Sequence, residues 1–365
     1  MIRALVVDDE EPARERLGRL LSGCGVDVVA EATDGREALS RIDELSPDLV
    51  FLDIQMPGLS GLDVAASIRP PRPRIVFCTA FDQFAVEAFE HHAVDYLLKP
   101  VNSERLARTV TRVSDEIREQ RRLVWEEEEA VRTQARLLPA GRAPLVYGLD
   151  CAGACRPAHG VSGDYYDFLV LGPDRVGVAL GDVSGKGTYA GLLGAALQAR
   201  LQALAAQGSG EPAQLLADLN RLTVGTMDGN RFATVYLAVY NARHRTLAYA
   251  SAGHPPALVV GADGGVRQLG ATGPAIGWSS DAKFDQAVVA VQTGDVLVIS
   301  SDGVTEASDP AGELFGADAL AETVRHAAER GSEDIVDEVL RRLERFGDGL
   351  PAADDRTLVV AKVIQ

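Results

Sequence analysis

The chain is 365 residues long, so at about 100 to 200 residues per domain we expect two or three domains. Hydrophobic residues make up 46% of the chain and charged residues 24%, which is normal for a globular protein and excludes wholesale disorder. The formal net charge is −17. This charge disfavours nucleic acid or an anionic membrane as the direct partner, because both require a basic protein surface.

Four cysteines, Cys24, Cys78, Cys151 and Cys155, are too few and too scattered to form a disulfide scaffold. Cys151 and Cys155 lack the second pair of ligands that a structural zinc site needs, so we interpret them as small buried residues. The first residues show no signal-peptide pattern, and no stretch reaches the roughly 18 apolar residues of a membrane span. We therefore expect a cytoplasmic protein.

Short apolar runs alternate with helical patterns over the first 102 residues. The runs are Ala4 to Val7, Val26 to Ala32, Leu49 to Leu52, Ile75 to Cys78 and Tyr96 to Leu98. Such alternation predicts a parallel sheet covered by helices, which is an α/β architecture. His91 and His92 are expected on a helix surface, without a catalytic role.

A long charged stretch from Asn102 to Leu138 contains neither glycine nor proline and predicts one continuous helix. Apolar residues recur every seven positions at Val110, Ile117, Val124, Val131 and Leu138, and Leu106 and Val113 fill the second position of the seam. The spacing predicts a coiled-coil linker over residues 103–138 and a parallel homodimer. A helix packed on its own domains remains the alternative, because polar residues weaken the later part of the seam.

The chain from Leu145 onward changes character after the helix-breaking segment Pro139 to Pro144. Strands are predicted at Tyr165 to Leu171, Val176 to Asp182, Ala233 to Tyr240, Thr246 to Ala250, Ala257 to Val260, Ala287 to Val291, Val296 to Ser300 and Leu358 to Val363. Helices are predicted at Ala190 to Ala206, Ala213 to Met227, Ala317 to Arg330 and Ser332 to Phe346. Strands joined by turns, with helices inserted in blocks, indicate an α+β domain.

Acidic side chains follow the apolar runs of the first domain. Asp8 and Asp9 follow the first run and Asp53 follows the third. Because the carboxyl ends of parallel strands meet at one edge of a sheet, these three carboxylates are expected to lie together and to require a divalent cation, for which Mg²⁺ is suited. Thr79 and Lys99 end the fourth and fifth runs, so a phosphoryl group would fit between their side chains.

Residues 1–120 resemble the receiver domain of two-component response regulators. The resemblance rests on VVDDE at 6–10, LDIQMPGLSG at 52–61, Thr79-Ala80 and YLLKP at 96–100. It implies a flavodoxin-like fold with a five-stranded parallel sheet, in which a histidine kinase phosphorylates Asp53. By the same resemblance Asp8, Asp9, Asp53 and the carbonyl of Gln55 would hold Mg²⁺, Thr79 and Lys99 would contact the phosphoryl oxygens, Tyr96 would be the switching aromatic residue, and the Lys99–Pro100 peptide bond would be cis.

Three aspartates of the second domain flank strongly apolar runs. Asp182 comes after VGVAL, Asp302 after VLVIS, and Asp355 before TLVV. Strand ends of one sheet can gather such carboxylates into a two-metal hydrolytic site. Lys186 lies in a glycine-rich turn, but the spacing of a phosphate-binding loop is missing.

Residues 137–364 resemble the SpoIIE-like branch of the PPM family of metal-dependent serine/threonine phosphatases. The motifs, in family order, are LLP, RPAHGVSGDYYDF, GDVSGKG, FATVYLAVYN, ASAGHPPALVV, GPAIGW, GDVLVISSDGVTEA and DDRTLVV. The resemblance implies an αββα sandwich over residues 139–365 with two Mn²⁺ or Mg²⁺ ions at one end. Asp182 would bridge the ions, the Val183 carbonyl would complete one shell, Asp302 and Asp355 would bind the other ion, and Asp164 would act through water.

Two such ions activate a water molecule that displaces the phosphate ester without a covalent enzyme intermediate. Asp182, Asp302 and Asp355 are therefore the predicted catalytic set. His254 is expected to be structural, and Arg156 is left out of the site because its position carries no family signature. The branch often has a proline after GDVSGKG where this chain has Thr188-Tyr189, so docking or switching is expected to differ there.

These observations predict a response regulator with a phosphatase output, in which the helical linker transmits the state of Asp53. The resemblance indicates a seryl-phosphorylated anti-sigma-factor antagonist with a STAS fold as the substrate. One alternative is a non-catalytic adaptor, which the presence of Asp182, Asp302 and Asp355 disfavours. A second alternative is a DNA-binding regulator. It would need a basic recognition helix, which the sequence does not show.

Overall fold

The computed structural model describes residues 1–80, 93–139, 148–207, 210–227 and 231–364. His91 and His92, and most of the predicted helix-breaking segment Pro139 to Pro144, lie outside the described residues. The chain divides into two compact units, Met1–Trp125 and Glu126–Gln365.

The first unit is a doubly wound α/β fold. Its strands are β1 (Ile2–Val7), β2 (Val26–Ala32), β3 (Leu49–Leu52), β4 (Arg74–Thr79) and β5 (Asp95–Leu98), and its helices include α1 (Glu11–Gly23), α2 (Gly35–Leu45) and α3 (Gly61–Ser67). The strands form one sheet in the order β2-β1-β3-β4-β5, and every neighbouring pair is parallel. This confirms the predicted five-stranded parallel sheet.

The sheet is buried on both faces because its central strands carry apolar residues at consecutive positions. All four residues of β3 are buried, as expected for a parallel strand covered by helices on both sides. One core contains Leu17 and Leu21 of α1, and the core on the opposite face contains Ala38 of α2 and Val64 of α3. Ligands of such sheets bind at the carboxyl ends of the strands, and these ends carry the polar residues.

Helix α4 (Ser103–Ala135) is a single helix of 33 residues. Its first half belongs to the first unit, because Leu106, Val110, Val113 and Ile117 are buried in the same core as α1. The seven-residue spacing over this part therefore reflects packing within the first unit, which corrects the prediction of a coiled-coil seam there. Beyond it, Val124 is 50% exposed and remains available for another contact.

The second unit is a four-layered sandwich. One antiparallel sheet, β13-β10-β9-β8-β7, contains β7 (Tyr165–Gly172), β8 (Arg175–Val183), β9 (Ala233–Asn241), β10 (Thr246–Ala252) and β13 (Ala287–Ala290). The other, β12-β11-β14-β15-β6, contains β6 (Leu149–Arg156), β11 (Ala257–Val260), β12 (Val266–Leu269), β14 (Val296–Ser300) and β15 (Arg356–Val363). The helices are α5 (Thr188–Gln207), α6 (Pro212–Thr223), α7 (Asp302–Thr305), α8 (Gly316–Ala327) and α9 (Ser332–Gly347).

Three apolar cores hold these layers together. Residues such as Tyr236 and Val359 fill the space between the two sheets. Leu197 of α5 packs on the outer face of the first sheet, and Leu320 of α8 packs on the outer face of the second. The layer order helix, sheet, sheet, helix confirms the predicted αββα sandwich.

Strand β6 was not expected, because its sequence LDCAGACR consists mainly of small residues. The small side chains are required by packing: a Cβ atom on Gly153 would lie 2.6 Å from the ring of Tyr166. Cys151 is buried and Cys155 half-buried on this strand, and burial raises the pKa of both thiols, that of Cys155 to about 11. Both cysteines thus behave as small, unreactive packing residues.

Candidate functional site

An acidic pocket lies at the carboxyl edge of the parallel sheet. Asp8 and Asp9 follow β1, Asp53 follows β3, and one carboxylate oxygen from each lies within 4.8 Å of the others. The ammonium group of Lys99 lies 2.7 Å from Oδ2 of Asp8 and 2.7 Å from Oδ2 of Asp53. The structure therefore brings together the acidic residues and the lysine that the sequence predicts.

The three carboxylates of this pocket carry more negative charge than Lys99 neutralises. Burial raises the pKa of Asp53, and the nearby charge of Asp8 adds to that effect despite the bond from Lys99. Burial alone would lower the pKa of Lys99, but the bonds and charges of Asp53 and Asp8 outweigh it and raise the pKa. A divalent cation bound by hard oxygen ligands would relieve the repulsion among these carboxylates.

Thr79 ends β4 at the same edge. Its side chain is fully buried, yet Oγ1 forms no hydrogen bond with any residue that the structure describes. A buried hydroxyl group normally has a partner, so the pocket fits a phosphoryl oxygen at this point.

The Lys99–Pro100 peptide bond is cis, as the resemblance implies. Tyr96 is half-buried on β5 and packs against the core beneath α2 and α3. Gln55 lies two residues after Asp53, and its backbone N–H donates to Asp53 Oδ1 at 3.4 Å.

A second acidic cluster lies at one end of the sandwich. Asp182 lies near the end of β8 and Asp302 opens α7 directly after β14. Burial raises the pKa of Asp182 to about 6, with further contributions from the charges of Asp302 and Asp354. Burial and the charge of Asp354 likewise raise the pKa of Asp302.

Asp164 lies just before β7 and is buried beside Asp182. Burial, and then the charge of Asp182, raise its pKa well above the usual range. Its Oδ2 atom is buried and has no hydrogen-bond partner in the part of the chain that the structure describes. An unpartnered carboxylate oxygen next to a second carboxylate is the arrangement that a cation, or water held by one, would satisfy. The unpartnered oxygen of Asp164 beside Asp182 therefore fits a cation, or a water molecule bound to one.

The structure assigns different surroundings to the two aspartates before β15. Asp355 accepts hydrogen bonds from the Ala158 N–H at 2.8 Å, the Ser162 hydroxyl group at 2.6 Å and the Gly163 N–H at 3.0 Å. Its carboxylate is thus engaged in fixing the loop between β6 and β7. The exposed Asp354 is the neighbour whose charge acts on both Asp182 and Asp302.

Asp354 was not among the site residues predicted from the sequence. The prediction selected Asp355, the second member of the adjacent pair Asp354-Asp355, as the aspartate that precedes the apolar run TLVV. Asp354 lies in a bend before β15, whereas the carboxylate of Asp355 is held by the loop that carries Ser162. Lys186, 3.4 Å from Asp354 Oδ2, partly balances the charge of Asp354.

Close backbone packing holds the loops of this cluster together. A Cβ atom on Gly303 would collide with the backbone carbonyl of Asp355, so α7 can approach β15 only with glycine there. A Cβ atom on Gly163 would lie 2.9 Å from the carbonyl oxygen of Val183, the predicted backbone ligand. The Ser301 hydroxyl group accepts the Thr357 N–H at 3.0 Å and joins the same two elements.

His254 lies behind the cluster and not in it. The side chain is buried, and its Nδ1 atom is 2.8 Å from Oγ1 of Thr234, which pairs with Asp182 across β8 and β9. Burial lowers the pKa of His254 to about 3. A neutral, buried imidazole cannot supply a proton to a leaving group near neutral pH, which agrees with a structural role.

The end of α4 is bonded to the loop that carries Ser162. The Gln134 side-chain amide donates to the Ser162 carbonyl at 2.6 Å and accepts the Ser162 N–H at 2.8 Å. Ser162 in turn donates through its hydroxyl group to Asp355. After the helix, the Leu137 carbonyl accepts a hydrogen bond from Gln198 at 3.0 Å. One end of the long helix is therefore fixed directly to the loops of the acidic cluster.

Two family models match the sequence. The model described as stage II sporulation protein E (SpoIIE) matches residues 172–364, and the response regulator receiver domain matches residues 4–111. No helix among the described residues has the length and apolar character needed to cross a membrane.

Solved structures with the same fold cover the second unit. The SiaA-PP2C domain of Pseudomonas aeruginosa is 20% identical, covers 67% of this chain and 98% of its own, and gives a TM-score of 0.58. The structure of the RsbU and RsbW domains of Rv1364c from Mycobacterium tuberculosis is 26% identical, covers 61% of this chain and 62% of its own, and gives a TM-score of 0.54. At 20% identity the first similarity concerns the fold alone.

Curated relatives match the first unit. An uncharacterized response regulatory protein of Yersinia pestis is 51% identical over 119 residues, which are 32% of this chain and 50% of that protein. The transcriptional regulatory protein BtsR of Salmonella typhi is 49% identical over 118 residues, which are 32% of this chain and 49% of that protein. The chain thus spans about half the length of these relatives.

Proposed function

Because the chain belongs to the SpoIIE family of PPM-type phosphatases and carries a response regulator receiver domain at residues 4–111, we propose that phosphorylation of Asp53 controls a serine/threonine protein phosphatase. The observation that carries this proposal is the second acidic cluster. It combines buried carboxylates of raised pKa with an unpartnered oxygen of Asp164.

We assign the metal ligands of the phosphatase to Asp182, Asp302 and Asp354, with the Val183 carbonyl as a backbone ligand. Asp164 would hold water bound to the ions, and Asp355 would fix the loop that presents Asp164. The chemistry that two Mn²⁺ or Mg²⁺ ions supply when bound is neutralisation of phosphate charge and activation of water. Because the pKa values of Asp182 and Asp302 are raised, protons would compete with metal ions for these side chains.

In the receiver, Asp53 would accept the phosphoryl group from a cognate histidine kinase. Asp8, Asp9, Asp53 and the Gln55 carbonyl would hold Mg²⁺, while Thr79 and Lys99 would donate hydrogen bonds to the phosphoryl oxygens. Tyr96 would report the change to the neighbouring surface. The unpartnered Thr79 hydroxyl group and the short Lys99 contacts support this assignment.

Helix α4 provides the route between the two activities. It is continuous from the receiver core at Leu106 to Gln134, whose amide holds Ser162 and through it Asp355. A shift of this helix would therefore move the loop that carries Asp164. Such coupling requires two states of the helix that the phosphorylated and unphosphorylated receiver favour differently.

We further propose a homodimer that acts on a phosphorylated anti-sigma-factor antagonist with a STAS fold. Leu123, Val124 and Trp125 are 54%, 50% and 59% exposed on α4, which supports contact with a second copy of the helix. The resemblance to SpoIIE-like regulators supports the class of substrate.

The domain limits proposed from the sequence are 1–120 for the receiver, 103–138 for the helical linker and 139–365 for the phosphatase domain.

The enzymatic proposal is tested with p-nitrophenyl phosphate and Mn²⁺. We expect hydrolysis by the wild-type protein and none above background by Asp182→Asn, because that variant loses a shared metal ligand. Both proteins should bind beryllofluoride equally at the receiver, which controls for folding. Absence of hydrolysis by the wild-type protein, on this ester and on phosphoserine peptides, would favour a non-catalytic adaptor.

A further inference from the structure

Two arginines stand side by side at the end of the sandwich that carries the acidic cluster. Arg356 opens β15 and pairs with Arg156, the last residue of β6, in the antiparallel register of these strands. Because directly paired residues project on the same face, the two side chains are neighbours. Like charges in this position destabilise a sheet, so the pair calls for an explanation outside the fold.

Neither guanidinium group is neutralised within the described chain. No ion pair or side-chain hydrogen bond joins Arg156 or Arg356 to any residue in the described ranges, although arginines elsewhere, such as Arg175 and Arg267, are paired with carboxylates. Arg356 is half-buried, so its charge is screened less by solvent than that of a fully exposed arginine.

Arg356 lines a cleft that it shares with two carboxylates of the acidic cluster, Asp302 and Asp354. The cleft has a volume of about 130 Å³ and is lined by Asp302, Gly303, Glu306, Ala307, Ser308, Pro351, Ala353, Asp354 and Arg356. Asp302 and Asp354 are two of the three carboxylates assigned to metal. Arg356 is therefore the cationic residue among those that line the cleft, and two of the proposed metal ligands line the same cleft.

We infer that Arg356, assisted by Arg156, binds a carboxylate side chain of the protein substrate close to its phosphorylated serine or threonine. This inference rests on the proposed phosphatase function. A guanidinium group offers two parallel N–H donors that match a carboxylate. The remaining acidic residue of the cleft, Glu306, is exposed and therefore better screened than Arg356. The arginine pair thus selects acidic sequences without taking part in the chemical step.

The test compares three probes: p-nitrophenyl phosphate, a phosphoserine peptide with glutamate within two residues on each side, and the same peptide with glutamine instead. For the wild-type protein we expect kcat/KM to be higher on the glutamate peptide than on the glutamine peptide. Arg356→Gln should lose about tenfold in kcat/KM on the glutamate peptide, mostly through KM. Its rates on the other two probes should stay within about twofold of the wild-type protein.

Arg156→Gln should show a smaller loss of the same kind, and Arg356→Lys an intermediate one because it keeps the charge without the paired donors. Arg243→Gln, which removes an arginine paired with Asp174, is the matched control and should leave the preference unchanged. The melting temperature of Arg356→Gln should equal or exceed that of the wild-type protein, because a like-charge pair is removed. A merely structural arginine would lower it.

Equal losses on all three probes would assign Arg356 to the phosphoryl group and overturn the inference. An unchanged peptide preference in Arg356→Gln would overturn it as well. Inactivity of the wild-type protein on every probe would instead contradict the proposed function, so the two failures are distinguishable.

Discussion

Asp354 and Asp355 are neighbours in sequence with different tasks. Asp355 receives three hydrogen bonds from the loop between β6 and β7, whereas the charge of Asp354 acts on Asp182 and Asp302. Hydrogen bonds to a carboxylate stabilise its charged form without a metal ion. Asp354 is therefore the member of the pair whose charge is not fixed by this loop and is balanced only in part, by Lys186.

Because Asp354 and Asp355 have different tasks, their substitutions should have different effects. Asp354→Asn should weaken Mn²⁺ binding about 10- to 100-fold and leave the metal-free protein as stable as before. Asp355→Asn should lower the free energy of unfolding by about 2 kcal/mol, because it weakens hydrogen bonds to a charged group. Calorimetric Mn²⁺ titration and thermal denaturation without metal would measure the two effects. A larger loss of Mn²⁺ affinity in Asp355→Asn than in Asp354→Asn would contradict the assignment.

The raised pKa of Asp182 predicts a pH dependence. Its folded-state value of about 6 exceeds the ordinary 3.8, so the folded protein holds this proton more tightly than the unfolded chain. The stability of the metal-free protein should therefore fall as the pH rises from about 4 through about 6. Mn²⁺ competes with the proton below about pH 6.

We accordingly expect Mn²⁺ to raise the melting temperature more at about pH 7.5 than at about pH 5. The same measurement on Asp182→Asn is the control, since that side chain does not titrate. A stabilisation by Mn²⁺ that is equal at both pH values in the wild-type protein would show that Asp182 is not a ligand.

At the level of elements, the sequence predicts strands where β-branched residues are consecutive. β8, β9, β14 and β15 carry such runs and were anticipated within a few residues of their observed limits. β6 was missed because small residues replace β-branched ones where Tyr166 packs on Gly153. β12 was missed because it is a short edge strand with three exposed residues.

The position of a residue relative to a strand also explains which residues of the two sites could be predicted from the sequence. Strand ends identify Asp8, Asp53 and Asp182, because an apolar run followed by an aspartate marks a carboxyl edge. The direction of each side chain in the turn before β15 depends on the hydrogen bonds to Asp355, which residues almost 200 positions away supply. Such long-range contacts leave no signal in a local pattern.

Helix α4 contains a bonded connection that mutation can cut. Gln134→Ala removes both hydrogen bonds to Ser162 and should reduce the response of phosphatase activity to beryllofluoride severalfold. Thr133→Ala, at an exposed position of the same helix, is the matched control and should retain the full response. Phosphatase assays with and without beryllofluoride give the response ratio. An unchanged ratio in Gln134→Ala would show that the signal bypasses this contact.

For the whole molecule, the receiver packs the first half of α4 and leaves an apolar stretch, Leu123 to Trp125, exposed. We expect light scattering to give about twice the chain mass of 38.8 kDa. Trp125→Glu should shift the protein toward the monomer, because a buried unpaired charge is costly. Thr111→Glu, an exposed position outside this stretch, should not. A monomeric wild-type protein would contradict a dimer through α4.

The central claim is that one chain joins a receiver to the phosphatase that it controls. The most direct test measures Mn²⁺-dependent hydrolysis of a phosphoserine peptide with and without beryllofluoride and Mg²⁺, in the wild-type protein and in Asp53→Asn. We predict that beryllofluoride changes the wild-type rate by at least about fivefold, the lower range of measured coupling between sites, and that Asp53→Asn shows no change. Equal wild-type rates under both conditions, with beryllofluoride bound, would contradict the account.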